Sequence, residues 1–93
     1  MEEQIKQYFQ REPNVAAVYL FGSRATNTNK LDSDVDLGIL LKNFIQHECA
    51  ALIEKVLVEL SRKIRKDIHP VVLNTASEEL LRQILSKGTI LLV

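Results

Sequence analysis

Two short segments of this chain carry residue types suited to phosphate and metal chemistry. The first is Gly22, Ser23 and Arg24, and the second holds the acidic pair Asp34 and Asp36. A glycine lets backbone amides approach a phosphate closely, a serine hydroxyl can donate to it, and a guanidinium pairs with it as a planar fork. Paired carboxylates provide the oxygen ligands that suit Mg²⁺. The two segments together predict a site for a triphosphate and a metal ion.

The acidic pair should act as one unit, because residues two apart on a strand point to the same face. The carboxylates of Asp34 and Asp36 would then lie roughly 6–7 Å apart along the strand. At an effective dielectric constant of about 20, two such charges repel by about 2–3 kcal/mol. Water, a basic neighbour, a raised pKa or a metal ion must offset this repulsion.

A third acid would complete a two-metal site, in which ions about 3.5–4 Å apart clamp the attacking and leaving oxygens. Asp67 is the candidate, because it opens a later apolar segment as Asp34 opens an earlier one. Asp32 competes with it but lies in the polar loop before its strand. The sequence therefore predicts Asp34, Asp36 and Asp67 as catalytic and metal-binding residues.

The apolar pattern predicts the elements that position these residues. Compact apolar runs predict strands over residues 15–21, 34–41, 67–73 and 89–93. Apolar residues at intervals of three and four predict helices over residues 2–12, 43–66 and 75–87. The expected fold class is α/β (α+β), a mixed sheet of about four strands flanked by helices.

Local signals mark where the later helices begin and end. Asn43 with Gln46 is a plausible capping pair for the long helix, and Thr75 with Glu78 resembles a capping box. Gly88 follows the last helical residue, which is typical of a helix C-terminus.

Strand pairing decides whether the two polar segments meet. If the first two strands pair antiparallel, Gly22 and Ser23 at the end of one lie beside Asp34 and Asp36 at the start of the other. The third strand contains Pro70, which cannot donate to a ladder, so we expect that strand to be at an edge or bulged. The chemistry would then gather at one end of the sheet.

Composition narrows the class of protein. The chain has 93 residues, which predicts one domain over residues 1–93. Twelve basic and twelve acidic residues give a formal net charge of zero, which argues against a general nucleic-acid-binding module. No run approaches the ~20 apolar residues of a bilayer span, and the polar start lacks a signal peptide. The single cysteine fits a reducing cytoplasm, so we expect a cytoplasmic protein.

The spaced signature resembles the nucleotidyltransferase superfamily with the DNA polymerase β-like fold. That family carries a Gly-Ser turn, then Asp-x-Asp, then a third acid on a later strand. Here ten residues separate Ser23 from Asp34, and Asp67 is the later acid. The chain is similar to the minimal nucleotidyltransferases, which are often paired with HEPN-domain proteins.

The resemblance implies transfer of a nucleoside monophosphate from a nucleoside triphosphate to a hydroxyl. Gly22 and Ser23 would hold the triphosphate, Asp34 and Asp36 would bind two Mg²⁺ ions, and Asp67 would complete the site nearest the attacking hydroxyl. In this family group the protein is often an antitoxin, and some members adenylylate their HEPN toxin partner from ATP. The base, the acceptor and the oligomeric state stay open.

The sequence departs from the family pattern at two places, and one alternative function is open. Residues 26–29 stand where a glycine is common, and His69 with Pro70 follow Asp67 where apolar residues are usual. His69 should share a face with Asp67, although an exposed histidine at a sheet edge is the plainer interpretation. The alternative function is a non-catalytic binding module that neutralises a partner protein by covering it.

Overall fold

The computed structural model describes residues 1–21 and 35–93. Of the predicted site residues, Asp36 and Asp67 lie within these ranges. The other predicted site residues, Gly22, Ser23, Arg24 and Asp34, lie outside the described residues. Asp32, the acid that competes with Asp67, also lies outside them.

The elements of the described chain follow in the order helix, strand, strand, two helices, strand, helix, strand. The strands are β1 (Val15–Phe21), β2 (Val35–Leu41), β3 (Ile68–Val72) and β4 (Thr89–Leu92). The helices are α1 (Glu2–Gln10), α2 (Gln46–Lys55), α3 (Ser61–Ile64) and α4 (Glu78–Lys87). A π-helical segment (Val56–Leu60) joins α2 to α3, and a 3₁₀ turn (Leu73–Thr75) follows β3.

The four strands form one mixed sheet in the order β3-β2-β1-β4. Strand β1 pairs antiparallel with both β2 and β4, whereas β2 and β3 are parallel. The predicted mixed sheet and the antiparallel pairing of the first two strands are confirmed. Pro70 lies on the edge strand β3, as predicted, and its pairing with Leu37 is part of an uninterrupted register, so β3 is not bulged there.

One face of the sheet carries the main core. Alternating side chains of β1 and β2 pack there against Ile5 and Phe9 of α1 and against Val56 and Leu60 of the π-helical segment. All four of these helical side chains are fully buried. The strand residues of this layer are Val15, Val18, Leu20, Val35, Leu37, Ile39, Leu41 and Ile68.

The opposite face carries a smaller layer. Helix α4 contacts β1, and its Ile84 is fully buried yet does not join the main cluster. Gly38 of β2 lies under Leu73, since a Cβ added at Gly38 would come within 3.0 Å of Leu73 Cδ2. Leu73 thus occupies the space that a side chain at position 38 would need.

The predicted start of the long helix was wrong. The helix begins at Gln46 after Ile45, and no side chain caps it. Asn43 is engaged elsewhere, because its amide donates to Asn14 Oδ1 over 2.9 Å and its carbonyl accepts from Asn14 Nδ2 over 2.8 Å. Asn14 therefore fixes the start of the segment between β2 and α2 with two hydrogen bonds.

The predicted capping box of the last helix was also wrong. Ser77 is the N-cap of α4, and its Oγ accepts from the amide of Leu80 over 3.2 Å. Thr75 instead donates to the carbonyl of Val72 within the preceding turn. The predicted end holds, since Gly88 is the C-cap and its amide donates to Ile84 O over 2.8 Å.

Candidate active site

Asp36 is the second residue of β2 and lies at the start of that strand. Its neighbours Val35 and Leu37 are fully buried in the main core. Because strand residues alternate, Asp36 lies on the opposite face, where it is half-buried. The strand thus holds the backbone of Asp36 rigidly while its carboxylate faces the less covered side of the sheet.

The end of β1 lies directly beside Asp36. Phe21, the last residue of β1, is the register partner of Asp36. Gly22 and Ser23 follow Phe21 in the chain, so the polar segment that they begin leaves β1 from the position next to Asp36. Phe21 was not among the predicted site residues, although antiparallel pairing of the first two strands puts the last residue of β1 beside the start of β2.

The start of β3 lies on the other side of Asp36. The amide of Val35 donates to the carbonyl of Asp67 over 2.9 Å, and Asp36 is the register partner of His69. Ile68 pairs with Val35 and is buried with it in the main core. Alternation along the strand therefore assigns Asp67 and His69 to the face that carries Asp36.

The spacing of Asp36 and Asp67 suits groups that converge on a shared substrate. Neighbouring strands lie about 4.8 Å apart, and two residues along a strand cover about 6.6 Å, so the two Cα atoms are roughly 8 Å apart. Asp67 is exposed and Asp36 is half-buried. Two carboxylate side chains at this Cα separation can both reach a shared cation.

The donor set fits a hard divalent cation. Asp36 and Asp67 offer carboxylate oxygens, which are the ligands that Mg²⁺ and Ca²⁺ take in proteins. Within the described ranges, no group of three or more His, Cys, Asp or Glu side chains could hold a metal ion by itself. The described residues therefore supply two acids, and a third ligand would come from Asp34 or from the substrate.

Leu73 bounds the candidate site along β2. It is buried over Gly38, two residues beyond Asp36 on the same face. Asn74, the next residue, fixes this turn, because Leu41 N donates to its Oδ1 over 2.9 Å and its Nδ2 donates to Leu41 O over 3.0 Å. The turn after β3 thus gives the site an apolar wall that is anchored to β2.

Two surface cavities lie away from these acids. They have volumes of about 250 and 260 Å³ and share Glu12, Pro13 and Val15 in their walls. Val15 pairs with Leu41 at the end of β2 that is opposite to Asp36. Neither cavity is lined by Asp36 or Asp67, so neither belongs to the candidate site.

Comparison with known protein families gives one match that spans almost the whole chain. The family model described as "Polymerase beta, Nucleotidyltransferase" matches residues 3–93. The comparison with curated proteins finds no match. No helix in the described part of the chain is both long enough and apolar enough to cross a membrane.

Solved structures with the same fold include several toxin–antitoxin complexes. A toxin–antitoxin complex with AMP-PNP is 25% identical with a TM-score of 0.81, covering 97% of this chain and 71% of that chain. The toxin–antitoxin complex MntA–HepT is 23% identical with a TM-score of 0.72, covering 97% and 68%.

A third similar structure holds a tri-AMPylated Shewanella oneidensis HEPN toxin in complex with an MNT antitoxin. It is 21% identical with a TM-score of 0.67, covering 98% of this chain and 71% of that chain. These likenesses agree with the mixed sheet and flanking helices of the described residues.

Proposed function

Because the chain belongs to the polymerase beta nucleotidyltransferase family, we propose that it transfers AMP from ATP to a hydroxyl of a HEPN-type toxin and so acts as an antitoxin. One observation carries the proposal. The strand register assigns Asp36 and Asp67 to one face of the sheet, next to the point where β1 leads into Gly22. Metal-binding acids and a phosphate-binding turn then share one end of the sheet.

Each predicted residue has a role in this proposal. Backbone amides at Gly22 and the hydroxyl of Ser23 bind the triphosphate, and Arg24 neutralises part of its charge. Asp34, Asp36 and Asp67 hold Mg²⁺. When bound, Mg²⁺ neutralises charge on the phosphates and polarises the reacting phosphoryl group.

The reaction is an in-line displacement at the α-phosphorus. The acceptor hydroxyl oxygen forms a bond to that phosphorus, the bond to the β-phosphate breaks, and pyrophosphate leaves. Asp67, which directly precedes β3 on the side away from the triphosphate, orients the hydroxyl and accepts its proton. The rigid backbone of β2 holds Asp36 in place during the transfer, so little reorganisation is needed.

Two similar structures support the choice of nucleotide and partner. One contains the ATP analogue AMP-PNP, and another contains an AMPylated HEPN toxin bound to its antitoxin. Residues 1–93 would act as one minimal nucleotidyltransferase domain. A buried free thiol at Cys49 is consistent with a reducing cytoplasm.

A binding module without catalysis is the second candidate. It is supported by large apolar side chains that remain exposed along the long helix and before it. Leu57 is 44% exposed and Val58 is 48% exposed, and Phe44 and Ile45 are 44% and 42% exposed. A partner that covers these side chains would be neutralised by occlusion alone.

Replacing Asp36 separates the two candidates. With ATP and Mg²⁺, we expect the wild-type chain to label its cognate HEPN-type toxin and to inhibit it. Asp36→Asn should lower labelling by roughly 100-fold or more, since it removes a charge from the reacting site. Its shape is conserved, so toxin binding in a pull-down assay should persist.

Two results would count against adenylyl transfer. One is a wild-type chain that leaves the toxin unlabelled. The other is an Asp36→Asn chain that labels as well as the wild type. Full inhibition by Asp36→Asn without labelling would establish occlusion as the mechanism.

A further inference from the structure

The C-terminal end of the long helix carries four cations within five positions. We call Arg62, Lys63, Arg65 and Lys66 the basic turn. The first three are exposed and Lys66 is half-buried. Cations are favoured at a helix C-terminus by the helix dipole, so their sequence position alone does not indicate a ligand.

Most of this charge is available to a binding partner. Within residues 1–21 and 35–93, Arg62, Lys63 and Arg65 form no ion pair. Other exposed cations of the chain do find carboxylates, since Lys55 Nζ lies 2.7 Å from Glu12 Oε1 and Arg82 pairs with Glu78 over 3.1 Å. The basic turn therefore presents at least three charges to solvent.

The backbone at Arg65 gives a second, independent observation. Arg65 has φ 57° and ψ 42°, the left-handed conformation, and it is the only described non-glycine residue with positive φ. Its amide and that of Lys66 both donate to the carbonyl of Ser61. Glycine is the usual residue at such a helix end because side chains strain this conformation. An arginine here retains a cation at a position where the backbone favours glycine.

The position of the basic turn relates it to the candidate site. Lys66 is followed directly by Asp67, whose carbonyl is bonded to Val35 at the start of β2. In the strand order β3-β2-β1, Asp36 lies between Asp67 on β3's side and the end of β1 on the other. With the triphosphate at β1, the acceptor approaches from β3, so the basic turn borders the acceptor side.

We propose that the basic turn binds acidic side chains of the acceptor protein next to the hydroxyl that receives the nucleotide. This proposal rests on the function proposed above. A protein acceptor is favoured over RNA, because the chain has twelve cations and twelve anions, whereas nucleic-acid-binding domains are usually basic overall. The cations speed and orient encounter with the acceptor and take no part in bond making.

Arg65→Gly tests the proposal without weakening the fold. Glycine suits the left-handed conformation, so the thermal unfolding midpoint should stay equal or rise. We expect the KM for the acceptor toxin to rise about threefold to fivefold, as for one exposed ion pair, with kcat and the KM for ATP unchanged. A merely structural role for Arg65 would leave all three kinetic constants unchanged.

A triple variant and a matched control sharpen the test. Arg62→Ala, Lys63→Ala and Arg65→Gly together should raise the acceptor KM by about tenfold or more and flatten its dependence on salt. The control is Lys42→Ala, which removes an exposed cation just after the far end of β2. It should leave the acceptor KM and its salt dependence at the wild-type values.

The outcomes distinguish a failure of the basic-turn proposal from a failure of the proposed adenylyl transfer. If the wild-type chain labels the toxin and the triple variant does so with the same KM and salt dependence, the basic turn does not bind the acceptor. If single-stranded RNA is labelled in place of the toxin and the variants lose that activity, the acceptor class is wrong. If the wild-type chain labels nothing, the proposed function fails and this inference falls with it.

Discussion

At the scale of single residues, the proposed chemistry depends on which carboxylates share a face of the sheet. The parallel register between β2 and β3 pairs Asp36 with His69 and buries Val35 beside Ile68. This arrangement assigns Asp67 to the face of Asp36 although 31 positions separate them in the sequence. Sequence alone could identify each acid but could not establish that they share a face.

Asp67 and Asp32 give a matched pair of variants at this scale. We expect Asp67→Asn to lower kcat for toxin labelling by roughly 100-fold, because it removes a carboxylate that we place beside the reacting hydroxyl. Asp32→Asn removes the same charge from the competing acid and should stay within about threefold of the wild type. Steady-state kinetics with the toxin as acceptor make the comparison.

The opposite ranking would contradict this assignment. If Asp32→Asn lost activity and Asp67→Asn kept it, the third acid of the site would be Asp32 and not Asp67. Circular dichroism of both variants checks that neither has lost its fold.

At the scale of elements, side chains extend the sheet where the strands themselves end. Asn74 makes two hydrogen bonds to Leu41 beyond the last β2–β3 backbone pair. On the side of β1, the Asn14 side chain makes two hydrogen bonds to the backbone of Asn43. These bonds fix the connections that follow β2 and β3. Strand β2, which carries Asp36, and strand β3, which directly follows Asp67, are thereby held in register from their far ends.

Asn74→Ala should destabilise the fold. The substitution removes both hydrogen bonds and leaves the part-buried amide of Leu41 without its partner, which costs about 1–3 kcal/mol. Thr75→Ala is the control, since its exposed hydroxyl makes one long bond of 3.5 Å, and it should cost under about 0.5 kcal/mol. Urea titration gives both free energies of unfolding, and equal values for the two variants would refute this role of Asn74.

A second contact at this scale joins α1 to the long helix, and it involves Tyr8, whose hydroxyl titrates at high pH. The Tyr8 hydroxyl donates to Glu59 Oε1 over 3.4 Å. Burial, and then the nearby carboxylates of Glu59 and Glu12, raises the pKa of Tyr8 to about 12 from 10.0. Above pH 10 the unfolded tyrosine loses its proton while the folded one keeps it, so the contribution of Tyr8 to stability is lost as pH rises through 12.

Tyr8→Phe isolates this contribution. We expect the free energy of unfolding of the wild type to fall more steeply than that of Tyr8→Phe between about pH 10 and 12. Denaturant titrations across this range provide the measurement, and parallel slopes for wild type and Tyr8→Phe would contradict the raised pKa.

Several elements could be predicted from the sequence, and the failures have identifiable physical causes. The apolar run Val15–Phe21 fixed β1, and Pro70 correctly indicated an edge strand. Asn43 failed as a cap because the side chain of Asn14, 29 positions away, holds it. Leu57 is exposed, whereas Val56 and Leu60 of the same π-helical segment are fully buried, so the apolar pattern alone does not show which of these side chains pack into the core.

The candidate site was predictable only in its composition. The acids and the glycine-serine turn were visible in the sequence, and Gly22, Ser23, Arg24 and Asp34 remain predictions because they lie outside the described residues. Phe21 beside Asp36, and Leu73 over Gly38, were not predicted. Both depend on strand register and on packing between residues far apart in the chain, which periodicity does not encode.

At the scale of the whole molecule, the described residues place two acids at one end of the sheet. Few of the described side chains cover a substrate bound there. The main core lies on the face away from Asp36, and on its own face Leu73 and α4 cover only part of the sheet. Under the proposed function, the toxin that brings the acceptor hydroxyl would also add a wall to the part of the site that the structure describes. Under the proposed function, both catalysis and partner binding would then require the complex of this chain with the toxin.

The most direct test of this account follows the phosphates of ATP. The chain, its cognate HEPN-type toxin and Mg²⁺ are incubated with ATP labelled on the α-phosphate or, in parallel, on the γ-phosphate. Adenylyl transfer predicts that the α-label becomes covalently attached to the toxin, that the γ-label leaves as pyrophosphate, and that Asp36→Asn attaches neither. Attachment of the γ-label, or of no label by the wild-type chain, would contradict the account.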